Sequence, residues 1–275
     1  MRLCYQVATP EVRRELGTTA YQDEPAAALH AVAACGYDGV ELMVRDPRVV
    51  DFGEIERLAS MHRLDVPMVC TGEIFGQDRL TFADPNPSVS TEAIARVKAT
   101  IDAAARFGAH ANLGRARGGF SPDEDPAVTR RRILDAIHQV VDHAAKRDVV
   151  LALEPVNSLA LNFINTTAEG LRLVREVGSQ HFRLMLDSNH MFIDDADVEA
   201  SIRLTGGDVA FVHLADSNRR YPGNCKLDFA AFLANLRAVG YDGWLGVEVF
   251  PVPDQEAALR LSIEHLAPIV HRLTR

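Results

Sequence analysis

Four ionisable side chains stand where apolar runs of the chain end. The runs are LALEPVN (residues 151–157), LMLDSNH, FVHLADSNR and GVEVFP, and the residues are Glu154, Asp187, His213 and Glu248. Each is the main polar residue of its run, so burial of the run would bury the charge with it. Because a buried charge needs a partner, each of these side chains must be directed at something.

The chemistry that this set favours is the binding of a divalent cation. Carboxylates brought close together repel one another, and a metal ion relieves that repulsion. Carboxylate oxygens combined with one imidazole suit Mn²⁺, Mg²⁺ or Co²⁺. A solvated strand end or a salt bridge would explain one such residue, but it does not explain four in succession. The pattern therefore predicts one metal ion held by Glu154, Asp187, His213 and Glu248.

Three polar residues lie close to this set along the chain. His190 follows Asp187 by three positions, and Arg219 follows His213 by six. The sequence is compatible with His190 at the surface or in contact with a substrate hydroxyl, and Arg219 could reach the same place. Asp216 could orient either His213 or Arg219, because metal-bound histidines commonly have such a partner.

Eight apolar runs alternate with segments of helical period. The predicted strands are residues 2–8, 39–44, 65–70, 109–115, 149–155, 182–187, 209–215 and 244–250. Alternating strands and helices with short connections are the pattern of a (β/α)₈ TIM barrel. An open doubly wound sheet would require a G-x-G-x-x-G motif after an early strand, which the sequence lacks. With no linker or low-complexity tract, the prediction is one barrel domain over residues 1–275.

The barrel explains why the four residues should meet. In this fold the active site forms at the carboxyl ends of the strands. The four residues end four successive predicted strands, so they should face one side of the barrel mouth. A Gly-Tyr-Asp-Gly sequence occurs at 36–39 and again at 240–243. It predicts a helix-to-strand unit used twice, with its first glycine capping a helix.

Composition disfavours several classes of function. The chain has 275 residues, is 47% hydrophobic and carries a net charge of −9. This acidic balance does not fit a nucleic-acid-binding protein, and no apolar run reaches the roughly 18 residues that span a membrane. The N-terminus, MRLCYQVATPE, is typical of a first strand and not of a signal peptide. Four scattered cysteines without a C-x-x-C pair predict reduced thiols in a cytoplasmic protein.

Longer segments resemble a known family. They are LEPVN, LDSNHM, HLADSNR and VEVFP, with VELMVRDPRVVDF and TGEIFGQDRLTFADPNP in the N-terminal half. They resemble ketose 3-epimerases and 5-keto-L-gluconate epimerase-like members of the xylose isomerase-like TIM barrels, a sugar phosphate isomerase/epimerase superfamily. The resemblance implies an enzyme of carbohydrate metabolism with one divalent ion, most often Mn²⁺, bound by the four strand-end residues. For assembly it implies a homodimer or homotetramer.

The resemblance also implies a reaction and its residues. Glu154 and Glu248 would be the catalytic acid/base pair of a C3-type epimerisation through a cis-enediolate. The substrate would be a ketose or keto sugar acid. His190 and Arg219 match the family's substrate-contacting residues.

One segment departs from the family pattern. After EPVN the family's epimerases carry an arginine, an aromatic residue and a glutamate that contacts the sugar, whereas this chain has Ser158, Leu159 and Ala160. The alternative function is therefore an isomerase, dehydratase or lyase acting on a keto-inositol or a 3-keto-glycoside at the same metal site. Polar candidates in the same loop are Asn157, Asn162 and Asn165. An apurinic endonuclease on this barrel would need further metal ligands and a basic face, which the sequence does not offer.

Two more residues are expected to bind the substrate, Glu73 and Arg117. Arg117, like the nearby Arg115, follows the fourth strand and could meet a carboxylate or phosphate, with a solvated basic loop as the alternative. Glu73 follows the third strand, and Glu41 lies on the second. For both glutamates, a polar group of the pocket and a structural ion pair are equally compatible with the sequence.

Overall fold

Eight parallel strands form a closed barrel in the computed structural model, which describes residues 1–15 and 17–273. The strands are β1 (Arg2–Ala8), β2 (Gly39–Met43), β3 (Asp65–Cys70), β4 (His110–Leu113), β5 (Leu151–Leu153), β6 (Phe182–Asp187), β7 (Val209–Leu214) and β8 (Trp244–Val247). Each pairs with its neighbours in chain order, and β1 pairs with β8 to close the sheet. The predicted (β/α)₈ barrel is confirmed.

Helices connect the strands. Within the described residues they are α1 (Pro25–Cys35), α2 (Phe52–His62), α3 (Gly72–Gly76), α4 (Pro87–Phe107), α5 (Pro126–Lys146), α6 (Thr167–Val177), α7 (Ser188–Asp194), α8 (Val198–Thr205), α9 (Phe229–Ala238) and α10 (Gln255–Leu273). Proline begins α1, α4 and α5, where its missing N–H costs no helical hydrogen bond. Gly36 and Gly240 follow α1 and α9 with φ of 90° and 85°. The repeated Gly-Tyr-Asp-Gly sequence thus ends a helix at both places, as predicted.

The fifth and eighth strands are shorter than predicted, so Glu154 and Glu248 fall one residue beyond β5 and β8. Their backbones nonetheless continue the sheet. The N–H of Glu154 donates to the Leu113 carbonyl at 3.1 Å, and that of Glu248 donates to the Leu214 carbonyl at 3.3 Å. Pro155 then ends the first ladder because it has no N–H to donate. Both glutamates therefore stay anchored to the sheet at the barrel mouth.

A small apolar cluster fills the barrel below the mouth. Its buried members are Cys4, Met68, Ala152, Met185, Ala210 and Phe211. A larger cluster packs the outer faces of the strands against the helices. The Phe211 ring meets the His213 ring edge-on, with centroids 5.7 Å apart. The polar cluster above therefore rests on an apolar floor, where electrostatic interactions are stronger than in water.

No helix within residues 1–15 and 17–273 is long and apolar enough to cross a membrane. All four cysteines are free thiols, with Cys4 and Cys70 buried and Cys225 exposed. Packing and hydrogen bonding therefore stabilise the barrel without a disulfide among the described residues.

Candidate metal centre and active site

The structure brings the four strand-end residues to one point at the barrel mouth. Asp187 ends β6 and pairs in register with His213 on β7. Glu154 and Glu248 follow β5 and β8, on either side of that pair. All four are buried, and one ligand atom from each lies within 4.8 Å of the others.

These atoms fit a single divalent cation. Oxygen and nitrogen ligands lie about 2.1 Å from such an ion, so ligands on opposite sides of it are roughly 4.2 Å apart. Separations of at most 4.8 Å therefore need only a small inward adjustment. In an octahedral ion, four protein ligands would leave two positions for substrate oxygens or water.

Each of the three carboxylates has one oxygen bound outside the cluster and the other directed into it, where Arg219 also contacts those of Asp187 and Glu248. The Asn112 amide donates to Glu154 Oε2 and the Thr19 hydroxyl donates to Glu248 Oε1, both at 3.1 Å. Asp187 Oδ1 accepts two backbone N–H groups of α7 at 2.8 and 2.9 Å. The sequence analysis missed Asn112 and Thr19. A polar residue inside an apolar strand is a usable signal for the first, and nothing in the sequence marks the second.

His213 presents its two ring nitrogens to different partners. Nδ1 lies 3.1 Å from Glu248 Oε2, 3.3 Å from Glu154 Oε1 and 3.8 Å from Asp187 Oδ2. Nε2 faces the two carboxylate oxygens of Glu41 at 2.8 and 3.0 Å. The nitrogen available to a metal ion is therefore Nδ1. An Nε2–H donated to Glu41 fixes the ring and makes Nδ1 a more basic ligand.

The sequence left two roles open for Glu41, a polar group of the pocket or a structural ion pair, and the structure shows the ion pair. Glu41 pairs with His213 and is not among the residues that line the cavity described below. It is fully buried on β2, where Gln6 Nε2 donates to its Oε1 at 3.1 Å. Burial raises the pKa of Glu41. Burial lowers the pKa of His213, but the carboxylates of Glu41 and Glu248 outweigh it and hold that pKa well above its usual value. Gly246 leaves the necessary space, because a Cβ there would stand 2.7 Å from Glu41 Oε2.

Arg219 lies against two of the carboxylates. Its Nη1 donates to Asp187 Oδ2 at 2.8 Å, and its Nη2 donates to Glu248 Oε2. Burial raises the pKa of Glu248, but Arg219 and His213 outweigh it and hold the pKa well below its usual value. The Arg219 backbone is left-handed, with φ of 59°, a conformation that costs energy in residues other than glycine.

Asp216 holds the loop that carries Arg219. Its buried carboxylate accepts the backbone N–H groups of residues 217, 223, 225, 226 and 227. Its carbonyl oxygen accepts the N–H of Arg219 at 2.8 Å. Asp216 therefore positions Arg219, whereas His213 is oriented by Glu41.

His190 lies beside Glu154 with a tautomer that its neighbours define. Asn157 Nδ2 donates to His190 Nδ1 at 2.7 Å, and Asn157 Oδ1 accepts the N–H of Leu159 at 3.2 Å, which sets the amide orientation. Because Nδ1 accepts a hydrogen bond, the ring proton resides on Nε2. Nε2 is 3.9 Å from Glu154 Oε1. Burial lowers the pKa of His190, so the residue offers a neutral N–H donor beside Glu154.

An inner cavity of about 330 Å³ opens beside the cluster. Residues predicted to serve the site line it: Glu154, Glu248, His190, Arg219 and Glu73. Glu73 pairs with Arg115, whose Nη2 lies 3.5 Å from its carboxylate. Burial raises the pKa of Glu73. The cavity is thus lined by two carboxylates of the four-residue cluster, Glu154 and Glu248, and by the Glu73–Arg115 ion pair.

Arg117 does not line this cavity, contrary to the expectation that it binds the substrate. It is fully buried, and its guanidinium donates to the backbone carbonyls of Gly114, Glu154, Phe163 and Ile164. Burial lowers its pKa to about 10. Arg117 ties the loop after β4 to the loop after β5 and so supports the backbone of Glu154. The arginine of this segment that faces the cavity is Arg115.

A closed (β/α)₈ barrel with these four donors at its mouth fits the class of barrel enzymes that bind a divalent metal ion. Comparison with protein families identifies which group the chain falls in: a family model described as xylose isomerase-like TIM barrel matches residues 29–269. The chain belongs to this family, as its sequence motifs predicted.

Individual relatives agree with that assignment. The chain is 31% identical over 222 residues to an L-ribulose 3-epimerase of Mesorhizobium japonicum, covering 78% of this chain and 72% of that protein. It is 31% identical over 119 residues to a 3-dehydro-D-guloside 4-epimerase of Escherichia coli, covering 43% and 45%. A solved L-ribulose 3-epimerase structure superposes with a TM-score of 0.81 at 23% identity, over 98% of this chain and 95% of that one, which shows the shared fold. The resemblance to the ketose 3-epimerase group is confirmed, and the chain is an enzyme.

Proposed function

We propose that the chain is a divalent-metal-dependent epimerase of a ketose or keto sugar acid. The observation that carries this proposal is the convergence of Glu154, Asp187, His213 and Glu248 on one point beside a cavity. The epimerase names of the curated relatives support the same reaction type. Mn²⁺ is the proposed ion, with Mg²⁺ or Co²⁺ as alternatives, because three of the four donors are carboxylates.

The two glutamates account for inversion. A divalent ion at this site supplies Lewis-acid polarisation of a substrate carbonyl. Glu154 and Glu248 come from strands separated by β6 and β7, so they approach the reacting carbon from different sides. One removes the proton next to the carbonyl to give an enediolate, and the other returns a proton to the opposite face. Their fixed positions offset the weak basicity of a carboxylate.

Other residues hold the substrate. His190 donates its Nε2–H to a substrate oxygen, and Arg219 binds a second oxygen near Asp187. Glu73 and Arg115 contact the part of the substrate further from the cluster. Arg115 has the role that the sequence suggested for Arg117. We also propose a single domain, a homodimer or homotetramer, and a cytoplasmic location, for which the four free thiols are suited.

A second candidate function follows from the loop after β5. Leu159 and Ala160 line the inner cavity, in the segment where the family's epimerases carry a charged residue that contacts the sugar. An isomerase, dehydratase or lyase of a keto-inositol or 3-keto-glycoside would use the same four-residue cluster. Incubation in D₂O separates the alternatives. Epimerisation places deuterium at the inverted carbon without loss of water, and dehydration removes a hydroxyl group.

The decisive test combines NMR in D₂O with Glu154→Gln and Glu248→Gln. Free ketoses, keto acids and keto-inositols are screened with added Mn²⁺, and Glu54→Gln on the exposed face of α2 is the matched control. Each site variant should fold, and its rate of inversion should fall by about 10²–10⁴-fold. Each should still exchange deuterium into one epimer, a different one for each variant, because the remaining glutamate serves one face. Inversion at the wild-type rate in either variant would exclude the two-glutamate mechanism.

A further inference from the structure

A second cavity adjoins the inner one at the barrel mouth. This outer cavity has a volume of about 460 Å³, against about 330 Å³ for the inner cavity. It is formed by the loops that follow β3, β4 and β5. Leu159 and Ala160 line both cavities, so the two spaces meet at the loop after β5.

The lining of the outer cavity is mostly apolar and aromatic. Phe75 and Phe120 contribute aromatic rings, and Pro85 and Leu161 contribute aliphatic surface. Asp84 is the one ionisable residue among the described lining residues. A ligand here would find apolar contact and a few neutral polar groups, which is the make-up of a small-molecule site. An anionic group would find no cation among these lining residues.

The wall between the cavities is fixed in place. The Ser158 N–H and hydroxyl donate to the Asp194 carboxylate at 2.6 and 2.7 Å. Asn162 bonds to both the N–H and the carbonyl of Phe120, at 2.8 and 3.0 Å. Asn165 donates to the carbonyl oxygens of residues 156 and 161, both at 2.6 Å. These asparagines thus hold the loop, and both cavities are formed before a ligand arrives.

Ala160 lines both cavities, and its exposed side chain is a single methyl group, so it adds little bulk where the two cavities adjoin. We infer that the outer cavity binds a neutral ring attached to the reacting sugar. The substrate class is then a keto sugar with an O-linked glycosyl or aryl substituent, and not a free ketose. The inference rests on the proposed function for the reacting end of that substrate. Two observations point to this ligand. The outer cavity shares lining residues with the inner one, and its own lining is mostly apolar and contains no cation.

Binding of matched ligands tests the inference without requiring turnover. The methyl, phenyl and glucosyl glycosides of one 3-keto hexose are titrated calorimetrically into the Mn²⁺-loaded protein. The phenyl or the glucosyl glycoside should bind at least tenfold more tightly than the methyl glycoside, equivalent to about 1.4 kcal/mol. The more tightly bound of the two identifies the substituent. Equal dissociation constants for all three would overturn the inference.

Two variants and a control locate the effect. Ala160→Phe should fill the space where the two cavities adjoin, and Leu161→Ala should remove apolar contact from the outer cavity. In each variant the preference for the larger glycoside should therefore fall below about threefold. Ala160 is exposed, so the larger side chain should not unfold the barrel, and circular dichroism checks this. Leu204→Ala on α8, where Leu204 is 48% exposed, should keep the full preference. A preference that persists in Ala160→Phe, or disappears in Leu204→Ala, would contradict the placement.

Deuterium exchange separates this inference from the proposed function. Exchange on all three glycosides with equal dissociation constants would overturn the outer-cavity inference alone. A retained tenfold preference without exchange on any glycoside would support the outer cavity and count against the epimerase proposal.

Discussion

Replacing Glu41 with glutamine should weaken metal binding without removing a metal ligand. Glu41 is completely buried and accepts a hydrogen bond from His213 Nε2 at 2.8 Å, on the side of the ring away from the cluster. Glutamine keeps the volume and an acceptor oxygen but removes the charge that makes Nδ1 basic. Loss of such a partner typically costs 10–100-fold in metal affinity, which is about 1.4–2.7 kcal/mol.

The assay is calorimetric titration of metal-free protein with Mn²⁺. The dissociation constant should rise by 10–100-fold in Glu41→Gln, while the rate at saturating Mn²⁺ falls much less. Glu56→Gln is the matched control, since Glu56 is an exposed glutamate paired with Arg106 at 3.4 Å on the surface. An unchanged dissociation constant in a correctly folded Glu41→Gln would refute the argument that this carboxylate tunes His213. A complete loss of folding would instead assign Glu41 to stability.

The remaining predictions concern stability and the substrate contacts. Mn²⁺ at 100 times its dissociation constant should stabilise the protein by about 2.7 kcal/mol, seen as a rise in Tm; Asp187→Asn should abolish most of that rise, and an equal rise in the variant would exclude Asp187 as a ligand. Asn157→Ala should lower kcat/KM by about tenfold, because His190 loses the 2.7 Å bond that sets its tautomer, whereas Mn²⁺ affinity should not change; a rate equal to wild type would show that the bond is dispensable. Asp216→Asn should cost at least about 1.5 kcal/mol in the free energy of unfolding at pH 7, since the carboxylate accepts charge-assisted hydrogen bonds from five backbone N–H groups. Burial raises the pKa of Asp216, but those hydrogen bonds outweigh it and lower the pKa. The wild-type advantage should therefore be full above the unfolded pKa of about 3.9 and shrink as the pH falls through the lowered value; chemical denaturation at several pH values would reveal a constant difference if the charge were irrelevant.

Much of the fold could be predicted from local pattern. The eight apolar runs became the eight strands, because alternation with helical segments leaves a parallel barrel as the compact arrangement that buries them. The strand ends were less predictable. Glu154 and Glu248 fall just outside β5 and β8, although their N–H groups still bond to the neighbouring strands. Pro155 marks the end of the first ladder in the sequence, but the end of β8 depends on pairing that the sequence does not show.

Some residues of the candidate site could likewise be predicted from the sequence, and others could not. Glu154, Asp187, His213 and Glu248 were identifiable because a charged residue at the end of a buried strand is conspicuous, and four occur in succession. Their supports were harder to identify: a polar residue inside an apolar strand marks Asn112, but nothing in the sequence marks Thr19. Both reach the site from parts of the chain remote from the four residues, Asn112 from β4 and Thr19 from the loop after β1, so only the structure shows which carboxylate each one binds.

Arg117 shows how sequence reasoning about a loop arginine fails. Its position after β4 is compatible with a substrate contact, with a solvated loop and with what the structure shows, a guanidinium shared among backbone carbonyls. Neighbouring residues do not discriminate among these, because the carbonyls that it binds belong partly to the loop after β5. Arg115, two positions earlier, faces the cavity instead.

By itself, the sequence determined the donor set and the barrel that gathers it, because both follow from the order of apolar runs and the polar residues that end them. Tertiary structure alone decided that His213 turns Nδ1 to the cluster and Nε2 to Glu41, a residue 172 positions away in the chain. It alone decided that Leu159 and Ala160 line both the inner and the outer cavity. Both depend on barrel closure, which brings side chains from distant strands and loops within a few ångströms of one another.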